Sequence, residues 1–491
     1  MATTDDKKLT LSDGVDSLGA GDTIDLSDVA MERRIVRKID WHILPWVCVS
    51  YLINYLDRTN LGNARTLNND TPEDNLVTQL GLTGIRYNVA IAVFFVPYVL
   101  MEFPSNILLK YFSPAVWIGR IMISWGVVTI CTASVSTYGG LLVARFFLGL
   151  AEAGFYPGVI MYLCFWYKPS ERATRMAIFA GSVAVAGAFS GLLATGISFL
   201  NGKANLSGWQ WLFILERIPA ILLGIAVWFL MPNYPNDAKF LTPEERAFAV
   251  ARMGLYAPSK EDKHFDKAIA KSTLAEPIFW IYAIQYFFMT NSLNAFGYFA
   301  PTIIATLGFK GYVGQLMTVP PNVFALIVIV ANCDQAYTWR AGLRWHWLFA
   351  LGCLLLAVVT NWIVRYVAVF LIASTNAAVL PFLAHRTATV SGSTATALAT
   401  GGIIALANCG GISAPFLFPS ATGPRYQMGN WTVFAMLAVS LISTTYLGWR
   451  LGTGSEYKDV KVMAGEATNP DELDRRESVR DSEVRRVNSR D

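Results

Sequence analysis

The chain has 491 residues, 54% of them hydrophobic and 15% charged. An ordinary soluble domain carries about 25% charged residues, so this composition points to an integral membrane protein with room for many spans. The formal net charge of +4 comes from scattered basic residues and leaves no nucleic-acid-binding stripe, so no nucleic-acid partner is expected.

Residues 1–30 are polar and acidic and hold no apolar core of a cleavable signal, so the first span is expected to serve as the insertion signal. Apolar windows of about 20 residues, enough to cross about 30 Å of hydrocarbon as helices, follow at 42–62, 87–110, 115–136, 139–166, 174–200 and 209–231. A second set lies at 276–304, 312–332, 345–363, 365–385, 393–418 and 431–452. Between them runs a polar stretch in which Leu241-Thr242-Pro243-Glu244-Glu245-Arg246 reads as a helix start: a Thr cap, Pro at the first position and acids in the first turn. The expected organisation is a tail (1–40), a six-helix bundle (41–231), a central loop (232–275), a second six-helix bundle (276–452) and a polar, charged tail (453–491). This is an all-α membrane protein of twelve transmembrane helices.

Orientation follows from Lys and Arg, which gather on cytoplasmic loops. Arg33, Arg34, Arg37 and Lys38 precede the first window, Lys168, Arg172 and Arg175 follow the fourth, and the central loop is basic, which places both termini in the cytoplasm. The sequons at Asn69, Asn205 and Asn430 all fall on the opposite side. Asn69 and Asn205 are expected glycosylation sites, whereas Asn430 sits too near the membrane.

Charge inside the windows is the main functional signal. A charged side chain at mid-membrane costs about 2.5–3.5 kcal/mol on insertion scales, so it faces a protein interior or a cavity and marks a substrate or proton path. Asp57 and Arg58 lie in the first window; Arg145 and Glu152, seven residues apart and so on one helical face, lie in the fourth with Gly149, Gly154 and Gly158. These four are expected to converge on one cavity. The planar fork of Arg58 and Arg145 suits a substrate carboxylate, and Asp57 and Glu152 suit proton coupling because desolvation favours the protonated acid. The competing account is two ion pairs, Asp57 with Arg58 and Arg145 with Glu152, that only pin helices. Glu102 near the end of the second window and Arg120 at the start of the third are expected to form a cytoplasmic gate together with Glu171 and Arg172, the alternatives being a static loop anchor for the first two and an interfacial border for the others. In the second half, Gln285, Asn291, Asn294 and Asn408 are uncharged amides that either contact substrate or bond helices.

Six cysteines stand mostly alone in apolar runs, and no Ser-His-Asp order, Walker loop, HExxH or CxxC pair occurs. Neither catalysis, a metal nor a cofactor is expected, and a gradient must drive transport.

The residues Leu56-Asp57-Arg58-Thr59-Asn60-Leu61-Gly62-Asn63-Ala64, the run Arg145 to Gly158, Trp166-Tyr167 with Glu171-Arg172, Gly208 to Phe213 and Gly423-Pro424-Arg425-Tyr426 resemble the anion:cation symporter family of the major facilitator superfamily. Within it they are similar to the fungal allantoate and nicotinate permease-like branch, over about residues 31–452. The resemblance implies two pseudo-symmetric six-helix bundles with a midplane site between them, and substrate recognition and proton coupling by Asp57, Arg58, Arg145 and Glu152; with the arginines as substrate contacts and the acids as proton carriers, Asn60, Asn294 and Asn408 are the further substrate contacts expected. It also implies a monomeric carrier in the plasma membrane that imports a small organic anion with protons. Export of an acidic secondary metabolite and a non-transporting nutrient sensor are the alternatives. Three features depart from the family pattern: Arg217 after Glu216 where Gly is usual, Gln335 after Asp334, and a short link from Ala384 to Ser391. Arg217 reads either as a determinant of anion preference or as a side chain snorkelling from the outer end of the sixth window.

Overall fold

The computed structural model describes residues 8–10, 23–25, 28–67, 71–253, 267–309, 311–331, 339–374, 401–419, 423 and 425–453. Every one of the twelve apolar windows meets a helix, the tenth and eleventh in part. In chain order the first six spans are Val29–Thr66, Arg86–Phe112, Pro114–Thr132, Tyr138–Glu152 continued by Phe155–Trp166, Pro169–Ser198, and Gly208–Leu215 continued by Arg217–Leu230. The second six are Pro277–Thr306, Gly311–Leu316 continued by Val319–Ala331, Trp339–Val358, Trp362–Ala373, the segment Ile403–Asn408 with Gly410–Ser413, and Gln427–Thr453. Six of the described helices are long and apolar enough to cross a membrane by composition alone. Outside the bundle, Lys8–Thr10 and Thr23–Asp25 pair antiparallel, a small ribbon that the polar sequence there did not announce.

The two halves repeat one packing pattern. Span one lies on span five, two on four and three on six; seven lies on eleven, eight on ten and nine on twelve. Small residues set the closest of these approaches. A side chain at Gly119 of span three would meet the Gly224 carbonyl of span six at 2.8 Å, so the two backbones touch where Gly permits it. Between the halves, span one packs on seven, two on eleven and five on eight.

Span one is 38 residues long, about 57 Å at 1.5 Å per residue, so it projects well beyond a bilayer core. Asp28 caps it by accepting from the Ala30 and Met31 amides, each at 2.9 Å. The helix runs unbroken through the boundary expected at residues 40–41. Its projecting turn docks on the central helix Pro243–Met253, where Lys38 donates to both Glu245 carboxylate oxygens at 2.7 Å. That central helix starts where Thr242 was expected to cap it: the Thr242 hydroxyl accepts from the Glu245 amide at 3.3 Å, and Glu245 accepts from the Thr242 amide at 3.1 Å. Further ion pairs on this face join Lys168 to Glu32, Arg252 to Glu171, and Arg175 to Asp40 at 2.8 Å. We call it the terminal face, because the described bundle begins and ends there.

Candidate functional site

Neighbouring residues on a helix point about 100° apart, and span one uses this to send its two charges different ways. Arg58 turns toward spans two and four: its Nε lies 3.1 Å from Glu152 Oε1, and an Nη donates to the Tyr98 hydroxyl at 2.9 Å. Asp57 turns toward spans three and six, where the Thr129 hydroxyl donates to Oδ2 at 3.2 Å and the Arg217 guanidinium approaches the same oxygen at 3.5 Å. Arg217 also lies 3.3 Å from Glu216 Oε2. Neither pairing posed from the sequence forms. Arg58 holds Glu152 instead of Asp57, and Arg145 holds no carboxylate.

Arg145 is buried on span four with its Nε unpaired, and no carboxylate among the described residues comes within 4.0 Å of it. Span four places it by riding close on span two. A Cβ at Gly149 would fall 2.0 Å from the Phe94 carbonyl, and one at Gly154 would fall 2.0 Å from the Ser105 hydroxyl. Gly154 has φ +85° and breaks the span just after Glu152, a conformation that Gly alone adopts without strain. Pressed in this way, Arg145 and Glu152 point with Asp57 and Arg58 into one cavity, which Ile91, Phe94, Leu148 and Tyr298 complete. The space measures about 260 Å³ with its open mouth, and its centre has room for about one water. Tyr298 is the wall contributed by the second half.

The remaining expected residues spread more widely. Asn60 is buried beside Glu216, one layer behind the cavity. Asn294 is half-buried on span seven with its amide nitrogen unpaired, and it does not line the cavity. Asn408 donates from Nδ2 to both Glu102 oxygens at 3.1 Å, across the seam between spans eleven and two. Gln285 and Asn291 serve the interior of the second half, bonding Thr444 at 3.2 Å and Ser413 at 2.8 Å.

The expected Glu102–Arg120 gate does not form. Span two continues to Phe112, about ten residues past Glu102, so Glu102 sits about 15 Å inside the helix end and is buried, whereas Arg120 is exposed and stacks over Trp117 at 4.4 Å. Glu171 and Arg172 do lie on the terminal face. Glu171 accepts from the Lys168 amide at 3.1 Å and pairs with Arg252, while Arg172 closes the end of span four through the Tyr167 carbonyl at 2.8 Å. Asn205 is exposed in the turn before span six, and the buried Asn430 lies inside span twelve. Asn69, Gln335, residues 384–391 and the tail beyond Thr453 lie outside the described residues.

Arg217 is the main residue that the sequence reading misplaced. It does not snorkel: its side chain is 0% exposed and, with Glu216, forms a second charged layer behind the cavity that reaches Asp57 on the cavity wall. The signal was present, since Glu216-Arg217 is the same acid–base dipeptide in an apolar run as Asp57-Arg58. Among the described residues no group of three or more His, Cys, Asp or Glu side chains is arranged to hold a metal.

Two repeated six-helix halves with a charged cavity between them define a membrane transporter. Residues 47–333 match the family model of the Major Facilitator Superfamily, and the chain belongs to that superfamily, whose members are transporters and not enzymes. It is 39% identical to the MFS transporter prlL of a fungal species over 60% of each chain. It is 32% identical to a protein of Agrobacterium vitis named as a candidate tartrate transporter, over 85% of this chain and 92% of that one. Among solved structures, the proton:xylose symporter XylE superposes with a TM-score of 0.63 at 14% identity, covering 83% of this chain and 95% of that one.

Proposed function

We propose that this transporter moves a small organic anion together with protons, inward across the plasma membrane, as a monomer of the anion:cation symporter type. The observation that carries the reading is the state of the two cavity arginines: Arg145 is buried without a carboxylate, and Arg58 is held by Glu152. A buried cation without a counterion favours an anionic ligand. A substrate carboxylate bound to Arg145 competes with Glu152 for Arg58, and Glu152, once released, takes up a proton. Anion and proton binding are then linked through one exchange of partners, with Asp57 keeping its own pair behind the cavity. The name of the Agrobacterium vitis relative, a candidate transporter of tartrate, supports a carboxylic acid as cargo. The basic terminal face supports cytoplasmic termini, and exposed Asn205 on the other side supports glycosylation there.

The test is uptake of a labelled panel of small carboxylic acids into vesicles under an imposed pH gradient. Accumulation is expected when the outside is acidic. Arg58→Ala and Arg145→Ala should each abolish binding, and Glu152→Gln should keep exchange while losing gradient-driven accumulation. Unchanged affinity in both arginine variants would refute the assigned contacts. Accumulation only under the reversed gradient would assign export instead.

A further inference from the structure

The seam between spans two and eleven holds a carboxyl group that the cavity chemistry does not use. Phe95 seats its ring on Gly411, where a Cβ would come within 2.2 Å, and seven residues on, about two helical turns nearer the terminal face, Glu102 meets Asn408. Glu102 is 1% exposed, and among the described residues its one hydrogen-bond donor is an amide nitrogen of the opposite half, that of Asn408, 3.1 Å from both of its oxygens. No Lys, Arg or His nitrogen among these residues lies within 4.0 Å of it, whereas Glu152 has Arg58 at 3.1 Å and Asp57 has Arg217 at 3.5 Å.

The charged and titratable groups facing Glu102 are Arg58 of span one, Tyr98 of its own span, Tyr286 of span seven and Cys409 of span eleven. Arg58 is already committed to Glu152 of span four at 3.1 Å. A carboxylate at membrane depth served by one neutral donor is costly. A carboxylic acid is not. Its O–H can donate to the Asn408 carbonyl oxygen while the Asn408 N–H donates to its other oxygen, a reciprocal pair that leaves neither group short.

We infer that Glu102 is a proton-binding group in its own right, and that the proton it takes up on its carboxylate closes the seam between the two halves through Asn408. Loss of that proton leaves a charge that draws in water and parts spans two and eleven. The inference rests on the reading that protons drive the cycle, and it adds a group that senses the proton at the moving interface instead of at the substrate.

Infrared spectroscopy of the full chain in liposomes, titrated from neutral to acid pH, tests it without any substrate. On acidification the wild type should gain one carboxylic-acid C=O component, apart from that of the exposed carboxyls, that persists in Glu152→Gln and is missing in Glu102→Gln. In Asn408→Leu, which keeps Glu102 but removes its partner across the seam in both protonation states, the band should still appear on acidification, while the exchange of residues 401–417 should no longer slow with it. Hydrogen exchange of residues 401–417, corrected for intrinsic rate, should slow on acidification in the wild type and stay slow at all pH in Glu102→Gln. A band that survives in Glu102→Gln, or exchange in that variant that follows the wild type, overturns the inference while leaving the vesicle result standing. Failure of uptake for every acid tested would sink the transport reading without touching the infrared band.

Discussion

Replacing Arg217 by Met asks how much the hidden charged layer contributes. The guanidinium is fully buried, 3.5 Å from Asp57 and 3.3 Å from Glu216. At an effective dielectric of about 20, the Coulomb attraction to Asp57 alone is about 5 kcal/mol. Desolvation of both ions offsets most of that, so the net value of the pair is small while the cost of breaking it from one side is large. Arg217→Met strands two buried carboxylates and should destabilise the protein by about 3–5 kcal/mol. Asp57→Asn leaves Arg217 with Glu216, so it should cost less, and adding it to Arg217→Met should restore about 2 kcal/mol. The assay is a double-mutant cycle of equilibrium unfolding in mixed micelles, read by tryptophan fluorescence. If Arg217→Met unfolds with the wild type, or if the cycle shows no coupling, the buried layer described here is wrong and the snorkelling side chain returns.

The two cavity arginines should separate in a way that a purely structural role would not produce. Arg58→Gln removes the partner of Glu152 and should lower both stability and anion transport, whereas Arg145→Gln should lower transport more than about tenfold with stability nearly unchanged, because Arg145 holds no carboxylate. Thermal unfolding beside vesicle uptake checks both. Gly149→Val should cost about 3 kcal/mol or more and reduce the folded fraction recovered in detergent, since any Cβ there strikes the Phe94 carbonyl; Gly139→Ala on the same span, with open space around it, should be harmless. On the terminal face, burial raises the Glu245 carboxyl, but the Lys38 ammonium, the Thr242 amide and Arg34 outweigh it and hold the group below the usual carboxylate range. A lowered acid contributes stability above its unfolded value of about 4.3 and loses it as pH falls through the folded value. The wild type should therefore exceed Glu245→Gln in thermal stability at neutral pH, and the gap should close in acid; a gap that persists in acid would refute the pairing with Lys38.

Span positions were legible because a bilayer leaves the chain few choices: about 20 apolar residues in helical form satisfy both the hydrocarbon and the backbone. The convergence of Asp57, Arg58, Arg145 and Glu152 was legible for a related reason, since four charges facing lipid would cost on the order of 10 kcal/mol. The pairings were not legible. Sequence adjacency suggests that Asp57 meets Arg58, yet helical geometry turns the two apart, and which guanidinium each acid finds is settled by the glycine contacts of span four on span two and of span six on span three. Glu102 was misplaced because its apolar window was cut at Lys110 and its depth was underestimated. Asn60 and Asn294 show the limit for amides, whose low cost in a helix bundle gives the sequence no sign of whether they face a cavity or a neighbouring helix.

The charges of the described bundle interior are unevenly divided, and this bears on how the halves can separate. Asp57, Arg58, Glu152, Glu216 and Arg217 pair among themselves within the first half, Arg145 of the same half stands without a carboxylate, and no ion pair among the described residues ties the halves together. The bonds across the seam are between neutral donors and their partners: Gln315 donates to the Thr66 hydroxyl at 2.6 Å toward the face away from the termini, Asn408 donates to Glu102 toward the terminal face, and Tyr156 bonds Tyr286. An interhelical bond of this kind is worth about 0.6 kcal/mol on average in a membrane protein, against several for a broken buried ion pair. A carrier that must open at each face in turn therefore keeps its expensive contacts within one half and places the cheap, exchangeable ones between the halves. Replacing Gln315 by Glu would put a charge into that outer contact and, on this argument, should bias the protein toward opening there, raising the labelling rate of a cysteine introduced at the buried Thr318 beside it by about threefold for each 0.6 kcal/mol lost. An unchanged rate would mean that the outer closure rests on packing of spans five and eight, and not on the hydrogen bond.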